Sequence, residues 1–525
     1  MKKKQIFKKI MATGIWVQPI VMAAIVKYLQ EINPRYLMDE KNWKLCLMIS
    51  FIPVLLIWGE HMGTPSENVA MTGKNKAMYP DIPKELIRKE ITGTIPLGWD
   101  KRSKRYVCKP LEEDGHVFLI GGSGSGKSSA YVIPALLVNE KARIFAVDIK
   151  GELSFKSAKY GSKHVLIFNP SDRSKYGYDP FYNLEENSST QQIMETMQTI
   201  TYSLISMPAD LKDPFWKNSA RNLLIGLLVY YYKKGTRDFV GIIDEILGRP
   251  VKESIQAIID NAKNNSVEYR YIVQFKDMED ETLGGIVAEM NNHIVIFAND
   301  QDIRYAFKDN PNKVNPLKLE DGYSIYLSIR EEKLSVYYDV MQLIINQTLY
   351  QLEKRPEDSE PIIFVIDELP RILSAGKLDR LLDGARTLRS RKVCLYLITQ
   401  STEALMSAFT ENEVADLMSN CPYIVVLSAS SSKTQKAVCA WCGKYKVRKM
   451  SWSGGGNRNR NTTVSYEEKD IVEPSDLMTL KNTGEAILIT PYGYSRVKKV
   501  PYYKDKVLKH LAEEIVKYNK TISNM

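Results

Sequence analysis

A glycine-rich stretch at residues 121–128, GGSGSGKS, combines residue types that could bind a chain of phosphates. Gly121, Gly126, Lys127 and Ser128 have the spacing G-x-x-x-x-G-K-S of a phosphate-binding loop. Glycines let successive backbone N–H groups turn toward one anion, the lysine reaches the β- and γ-phosphates, and the serine hydroxyl binds Mg²⁺. The residues predicted to bind nucleotide are Gly121, Gly122, Ser123, Gly124, Ser125, Gly126, Lys127, Ser128 and Ser129.

The residues on either side of this loop have the strand–loop–helix pattern that such a loop requires. VFLI at 117–120 is a continuous apolar run typical of a buried strand, and SSAYVIPALLVN at 128–139 has a helical pattern. Pro134 lies inside that pattern and is expected to kink the helix, because proline lacks an N–H donor. A surface Gly/Ser loop without a ligand is the alternative, and these flanks disfavour it.

A second set of chemical groups lies far downstream, in PIIFVIDELPRI at 361–372. Its apolar run, 362–366, ends in Asp367 and Glu368, so a central parallel strand would deliver two acids to the carboxyl edge of a sheet. Asp367 is predicted to hold the metal ion, and Glu368 to polarise the attacking water. The second acid favours hydrolysis, since a scaffold that only binds nucleotide does not need it.

Two further residues extend the predicted catalytic set. The strand pattern VCLYLIT at 393–399 ends before Gln400, which could sense the γ-phosphate from an adjacent strand. The alternative is a polar residue that simply ends a buried strand. Arg386 lies on a predicted helix in LLDGARTLRSRK, where an arginine could cross a subunit boundary and stabilise transition-state charge. Arg389 and Arg391 compete for this role, and a solvated basic helix face is the other interpretation.

The elements that must position these groups follow an interrupted α/β pattern. Strand patterns occur near 117–120, 144–147, 165–168, 323–329, 362–366, 393–398, 423–427 and 485–489. Between about 188 and 308, apolar residues recur every three to four positions, which predicts an all-helical block inserted into the sheet domain. The predicted fold class is therefore α/β, with a RecA-like P-loop NTPase domain, an inserted all-α domain and an N-terminal two-helix membrane anchor.

The predicted division of the chain follows from these patterns. Its segments are a transmembrane hairpin at 1–62, a linker and the first part of the nucleotide-binding domain at 63–187, the inserted all-α domain at 188–316, and the second part of the nucleotide-binding domain with a C-terminal helix at 317–525.

Two uncharged apolar segments, at 10–26 and 45–59, suggest the membrane hairpin. Lysines precede the first segment, so the positive-inside rule puts the N-terminus in the cytoplasm. The prediction is a two-span protein of the inner or plasma membrane with its bulk in the cytoplasm. A signal peptide followed by a buried helix is the alternative, but no A-x-A cleavage pattern follows the first segment.

The charge balance allows a polyanionic partner without identifying one. Lys and Arg number 72 against 62 Asp and Glu, a formal charge of +10, which suits nucleic acid or an anionic membrane surface. The segment SWSGGGNRNRNTT at 451–463 has arginines that could touch a phosphate backbone, although a solvated hairpin loop explains them equally. No helix-turn-helix or zinc-finger motif occurs, so sequence-specific base reading is not expected.

Taken together, these motifs resemble the type IV coupling proteins, the conjugative DNA-transfer ATPases of type IV secretion systems. The resemblance extends from about residue 85 to 502. It is carried by ARIFAVDIKGEL (142–153), HVLIFNPSDRSKYGYDPFYNL (164–184), DPFWKNSARNLLIGLLVYY (213–231), VIDELPRI and LITQS. Asp179 stands where the family pattern has Asn. Asp148, Lys150 and Glu152 belong to the first segment, and their role in loop architecture or in coupling nucleotide state to the channel stays open.

The resemblance implies a membrane-anchored motor that uses ATP and Mg²⁺. It implies that relaxase-bound single-stranded DNA is coupled to a type IV secretion channel and translocated during conjugation, without sequence-specific binding. It also implies a homo-hexamer in which Arg386 matches the family's trans-acting arginine. Other readings keep part of this: a double-stranded DNA translocase of the cell-division type, a secretion ATPase that handles protein alone, or a docking receptor that binds nucleotide without hydrolysis.

Overall fold

The computed structural model describes residues 22–31, 40–50 and 82–523, apart from 140–141, 172, 174, 209–210, 375 and 454–460. The chain divides into two units, one comprising Met1–Ala77 and Lys444–Lys469 and the other Met78–Gly443 and Asp470–Met525. The predicted phosphate loop and the predicted acids both belong to the second unit.

Strands of the described residues form one large sheet and two small ones. Their bounds are β1 Ile87–Arg88, β2 Thr94–Asp100, β3 Arg105–Pro110, β4 Val117–Ile120, β5 Arg143–Asp148, β6 Val165–Phe168, β7 Gly177–Tyr178, β8 Lys313–Val314, β9 Ser324–Ser328, β10 Ile362–Ile366, β11 Val393–Thr399, β12 Tyr423–Val426, β13 Lys444–Ser453, β14 Asn461–Asp470, β15 Glu485–Thr490 and β16 Gly493–Lys498. The large sheet has the order β1-β3-β2-β16-β15-β12-β4-β11-β10-β5-β9-β6. The α/β class predicted from the apolar runs is confirmed.

The large sheet has a parallel part and an antiparallel part. From β12 through β4, β11, β10, β5 and β9 to β6, neighbouring strands are parallel. The strands β15, β16, β2, β3 and β1 extend it in antiparallel fashion. The sequence patterns predict only β15 of this extension. The parallel part therefore carries both predicted motifs, since β4 precedes the loop and β10 precedes the acids.

Side chains of the parallel strands alternate between two hydrophobic layers. Phe118 and Ile120 of β4 pack into one layer, and Val117 and Leu119 into the other. Phe145 and Phe364, on β5 and β10, stack with ring centroids 4.7 Å apart. Because both faces are covered, the strands have to be apolar throughout, and this explains why the sequence showed them as continuous apolar runs.

Helices of the described residues belong to both units, and those of the second unit cover these faces and fill the connection between β7 and β8. Their bounds are α1 22–31, α2 Glu40–Ser50, α3 Ile133–Leu137, α4 Glu152–Ser157, α5 Thr190–Leu204, α6 Phe215–Lys234, α7 Phe239–Leu247, α8 Val251–Asn261, α9 Val267–Ile272, α10 Asp280–Asn299, α11 Gln301–Arg304, α12 Tyr338–Glu353, α13 Leu369–Ile372, α14 Asp379–Thr387, α15 Glu411–Ser419, α16 Ser432–Cys442, α17 Pro474–Thr483 and α18 Lys506–Ser523.

The helical block between β7 and β8 is built around α6. Its buried residues include Leu223, Leu224, Leu227 and Leu228, which belong to the same hydrophobic layer as Phe118. The two strands at the ends of the block, β7 and β8, pair in parallel. Such two-residue strands carry no periodic signal, so the sequence did not reveal this closure. The exact domain boundaries predicted above stay a prediction.

The helix after the phosphate loop begins irregularly. Residues Ser128–Val132 form a π-helical turn in which Ile133 N–H donates to the Ser128 carbonyl, and α3 follows directly. Pro134 cannot donate a hydrogen bond, so the backbone upstream of it takes the wider turn. The sequence predicts a kink at this proline, and the structure has a local π turn at the start of the helix.

The prediction of a two-span membrane anchor, and with it the plasma-membrane location, is wrong on the described residues. No helix among them is both long and apolar enough to cross a bilayer. Within Glu40–Ser50, helix α2 contains a glutamate and two lysines. Residues 10–21 and 51–59 of the two predicted spans lie outside the described residues.

His116, just before β4, is a buried ring that should make stability depend on pH. Its Nδ1 accepts the Leu395 N–H at 3.0 Å, and its Nε2 lies 3.0 Å from the Ala385 carbonyl oxygen. Burial lowers the pKa of His116 to about 4. Because this folded-state pKa lies below the ordinary value, the neutral ring stabilises the fold above pH 6.5, and that contribution is lost as the pH falls toward 4.

We therefore expect the fold to lose on the order of 2–3 kcal/mol through this one residue between pH 7.5 and pH 4.5. Urea unfolding of the wild type and of His116→Gln at both pH values measures it. The variant should start less stable at pH 7.5 and show a smaller decline. An equal decline in both proteins would contradict the assignment, because the other titrating groups are common to both.

Candidate nucleotide-binding site

The phosphate loop leaves the carboxyl end of β4 and is tied to both neighbouring strands. Gly121 N–H donates to the Thr399 carbonyl at the end of β11, at 3.1 Å. Gly122 N–H donates to the Ser428 hydroxyl, just after β12, at 3.0 Å. A Cβ on Gly121 would lie 2.5 Å from Ser125 Oγ, so only glycine fits at the first position. These contacts hold the loop at the carboxyl edge of the sheet.

Within the loop, two glycines adopt conformations that other residues rarely take. Gly124 has φ +71° and Gly126 has φ +93°. Ser123 and Gly124 are exposed, whereas Ser125 is buried. Ser128 and Ser129, in the first turn after the loop, are half-buried. The loop thus offers its tip to solvent while its base packs on the sheet.

Lys127 lies folded over the loop. Its Nζ donates to the Gly121 carbonyl at 2.6 Å and lies 3.2 Å from the Gly122 carbonyl oxygen. Burial lowers the pKa of Lys127, and the charges of Asp367 and Glu368 oppose that shift. Lys127 follows β4 and the two acids follow β10, and these parallel strands are separated only by β11. The structure brings together the lysine and the acids that the sequence separates by an entire helical block.

Asp367 is half-buried at this edge of the sheet, where Asp148 at the end of β5 is buried. Its backbone N–H donates to the Val147 carbonyl of β5 at 3.4 Å. Burial, followed by the charges of Glu368 and Asp148, raises the pKa of Asp367 to about 7. Its Oδ1 is buried and has no hydrogen-bond partner among the described residues. A carboxylate with a buried, unpartnered oxygen beside a phosphate loop suits a hard, oxygen-preferring cation such as Mg²⁺.

Glu368 is held in a strained backbone conformation between two cations. Its φ and ψ are 57° and 51°, in the left-handed region that non-glycine residues seldom enter. Its Oε1 accepts from Lys150 Nζ at 2.9 Å, and its Oε2 lies 2.7 Å from Arg371 Nε. The strained turn directs this carboxylate away from the strand and into the two cations. The sequence did not reveal this arrangement.

The DIKGEL segment contributes both architecture and charge. Asp148 Oδ2 accepts the Ser154 N–H of α4 at 2.8 Å, and burial raises the pKa of Asp148. Lys150 contacts Glu368, as described above, whereas Glu152 pairs with Lys156 at 2.5 Å. This segment could serve loop architecture or the coupling of nucleotide state to the channel, and the contacts of Asp148 favour loop architecture. Lys150 touches the predicted catalytic acid directly.

Gln400 and Arg386 lie at opposite edges of the sheet. Gln400 directly follows β11 and is exposed, on the strand between those of the loop and the acids. Arg386 lies on α14 beside Ala385, whose carbonyl contacts His116 at the amino end of β4. Arg386 Nη2 pairs with Asp416 at 2.7 Å, and the Arg386 side chain is 55% exposed. Arg386 therefore lies near the opposite end of β4 from the phosphate loop of its own chain.

The sheet order defines the class of fold. The strand of the phosphate loop and the strand of the acids are separated by one strand, β11, whose carboxyl end carries Gln400. This is the order of a RecA-like P-loop nucleotide-binding fold, with the site at the carboxyl edge of the parallel strands.

The chain belongs to the family described as type IV secretory system conjugative DNA transfer, whose model matches residues 70–524. Protein VirD4 of Agrobacterium fabrum (strain C58 / ATCC 33970) is 23% identical over 412 residues, which are 76% of this chain and 60% of that protein. The chain thus spans about 60% of the length of the curated relatives it matches.

Solved structures of the plasmid coupling protein TrwB have a similar fold. Its complex with a non-hydrolysable ATP analogue aligns with a TM-score of 0.60 and 16% identity, over 79% of this chain and 90% of that one. Its complex with ADP and Mg²⁺ aligns with a TM-score of 0.57 and 16% identity, over 81% and 97%. The family resemblance inferred from the motifs is confirmed by these comparisons.

Proposed function

We propose that this protein is an ATP hydrolase that couples relaxase-bound single-stranded DNA to a type IV secretion channel and drives its transfer in conjugation. Membership of the conjugative DNA transfer family supports the process. One structural observation supports the enzyme: Lys127 follows β4 and Asp367 and Glu368 follow β10, so all three lie at the carboxyl edge of parallel strands that are separated only by β11. TrwB, which shares the fold, has been captured with an ATP analogue and with ADP and Mg²⁺.

The proposed chemistry assigns one task to each group at this edge. The loop amides and Lys127 bind the phosphates, and Ser128 with Asp367 holds Mg²⁺, which neutralises phosphate charge when bound. Glu368 accepts a proton from the attacking water. Gln400, one strand away from the acids, senses the γ-phosphate. Both oxygens of Glu368 lie beside cations, so the water would take one of the remaining acceptor positions of the carboxylate or displace Lys150 or Arg371.

Arg386 is proposed to act on a neighbouring subunit, in a homo-hexamer with sites at the subunit interfaces. Its position at the amino edge of the sheet rules out contact with the phosphates of its own chain, and more than half of its side chain is exposed. Its ion pair with Asp416 would then exchange for a phosphate of the neighbour. A closing interface would thereby tie hydrolysis to movement of the DNA.

We expect Arg386→Ala to lower ATP turnover by about 10³-fold, the usual effect of losing a trans-acting arginine. Mixing it with an equal amount of Glu368→Gln should restore about a quarter of wild-type turnover, because randomly mixed rings pair an intact Glu368 with an intact neighbouring arginine. Steady-state ATPase assays of each variant and of the mixture measure this. No recovery on mixing would reject the trans role, and Arg389→Ala is the matched control, expected within about threefold of wild type.

The load is proposed to be a single strand held through its phosphates. The formal charge of +10 and the family assignment support such a polyanion. Contacts of this kind weaken as salt displaces them and are largely indifferent to base sequence. The arginines of the 451–463 segment stay candidates, although residues 454–460 lie outside the described residues.

The test is ATP turnover by the full chain with a single-stranded oligonucleotide, with the duplex of the same sequence, and without DNA. We expect the single strand to stimulate turnover several-fold, equally for two unrelated sequences, and to lose most of this effect between 50 and 200 mM salt. Stronger stimulation by the duplex would favour a double-stranded DNA translocase. Turnover that is equal in wild type, Lys127→Ala and Glu368→Gln would eliminate the motor.

A further inference from the structure

A buried lysine lies directly behind the phosphate loop. Lys499 follows β16 and is 8% exposed. Its Nζ donates to the Ser125 carbonyl at 3.1 Å and lies 3.4 Å from the Leu427 carbonyl oxygen. Ser125 belongs to the loop, and Leu427 continues β12 through its N–H bond to Ile120. One ammonium therefore joins the loop to the neighbouring strand from the side that packs on the sheet.

This contact bears on the direction of a loop amide. The Ser125 carbonyl and the Gly126 N–H are the two ends of a single trans peptide group, so they point in opposite directions. Because Lys499 holds the carbonyl toward the sheet, the Gly126 N–H is turned away from the sheet. Gly126 is one of the residues whose amide forms the anion nest of such loops. The lysine thus favours the backbone geometry that binds phosphate.

The charge of Lys499 has no carboxylate partner among the described residues. The charged group of the loop is Lys127, which is bonded to loop carbonyls. On the side of β15, whose preceding Gly484 carbonyl accepts the Lys499 N–H, Glu485 pairs with Lys101 and with Arg496. The end of β12 contributes only uncharged groups, at Leu427 and Ser428. Burial lowers the pKa of Lys499 to about 8.

We propose that Lys499 is a second cation of the nucleotide site: a positioning residue that holds the loop in its phosphate-binding shape and adds positive charge behind it. Nucleotide binding is then linked to the proton on Lys499. The inference rests on the proposed nucleotide-binding function and adds a residue to that site. It assigns a role to a buried charge that would otherwise cost folding energy with no compensating partner.

The sign of the linkage follows from the charges. A bound polyphosphate favours the ammonium form and raises the pKa of Lys499 above its value of about 8 in the protein without nucleotide. Affinity is therefore full below pH 8 and falls as the pH rises through 8 toward the higher pKa of the complex. The terminal phosphate loses its last proton near pH 6, well below this window.

The experiment measures the Kd of a non-hydrolysable ATP analogue with Mg²⁺ by calorimetry, from pH 7.5 to 9.5, in the full chain. The proteins are wild type, Lys499→Met and Lys499→Arg. Lys499→Met retains Lys127, so its pH profile gives the fall in affinity that does not come from Lys499. We expect the affinity of the wild type to fall about tenfold more than that of Lys499→Met over this pH range. Lys499→Met should bind about tenfold more weakly at pH 7.5, and Lys499→Arg should bind like wild type and lack the extra fall.

These measurements distinguish a failure of the role of Lys499 from a failure of the proposed nucleotide-binding function. Equal pH profiles for wild type and Lys499→Met, or equal affinity at pH 7.5, would overturn the role of Lys499 while leaving the nucleotide site intact. A wild-type protein that binds no nucleotide would overturn the proposed function itself. If Lys499→Met fails to fold, Lys499→Arg still tests the proposal. Wild-type affinity at pH 7.5 with a smaller decline at high pH would support the linkage, whereas a pH profile of affinity identical to that of the wild type would reject it.

Discussion

Replacing Glu368 by Gln is expected to lower ATP turnover by about 10²–10³-fold while changing nucleotide affinity by less than about threefold. The amide keeps the shape of the side chain but cannot accept a proton from water. The two cations beside Glu368 are 48% and 39% exposed, so the loss of its ion pairs should cost little stability. Single-turnover hydrolysis and the Kd of a non-hydrolysable analogue separate the chemical step from binding.

The matched control for this change is Glu331→Gln. Glu331 pairs with the same arginine, Arg371, but does not follow the strand of the acids. Its substitution should leave turnover within about threefold of wild type, the range of an exposed ion pair. A similar loss in both variants would mean that the ion-pair network around Arg371, and not the base at position 368, limits hydrolysis.

Lys127→Met is expected to weaken both binding and turnover. Charge-assisted hydrogen bonds contribute about 1.5–3 kcal/mol each, so affinity for the nucleotide should fall by about 10- to 100-fold. Turnover should fall further, by about 10³-fold, because the lysine also stabilises charge on the transferred phosphate. Loss of this ammonium removes an influence that lowers the pKa of Asp367, so that carboxyl should hold its proton more firmly.

Lys481→Met is the control for charge and side-chain type, because Lys481 is an exposed lysine of α17 outside the phosphate-loop sequence. It should bind and hydrolyse nucleotide like wild type. The measurements are equilibrium binding of the analogue and steady-state turnover at saturating ATP. Affinity retained in Lys127→Met would show that this lysine does not contact phosphate, whatever its effect on turnover.

Much of the sheet was predictable because parallel strands covered on both faces must be apolar along their whole length. The runs at 117–120 and 362–366 match β4 and β10 residue for residue. The loop and the acids stand at strand ends, so their meeting at one edge followed from strand direction alone. The antiparallel extension was largely missed, since strands such as β2 carry Pro96 and Gly98, which interrupt a strand pattern.

The groups that tune the site could not be read from local pattern. Lys150 and Arg371 reach Glu368 from different elements, and Lys499 is the second of two consecutive lysines at the end of a short alternating strand. Such contacts arise from tertiary packing and leave no periodic trace. The membrane prediction was based on apolar composition at 10–26 and 45–59, and no helix among the described residues is long and apolar enough to cross a bilayer.

The central claim is that Lys127 and Glu368 act on one triphosphate, and the most direct test is the turnover of Lys127→Met, Glu368→Gln and the double variant. Residues that serve one reaction as a unit are not additive. We predict that the double variant has about the same turnover as the less active of the two single variants, to within about tenfold. A loss equal to the product of the two single losses would show that the two residues contribute independently, and would contradict the claim that they serve one reaction as a unit.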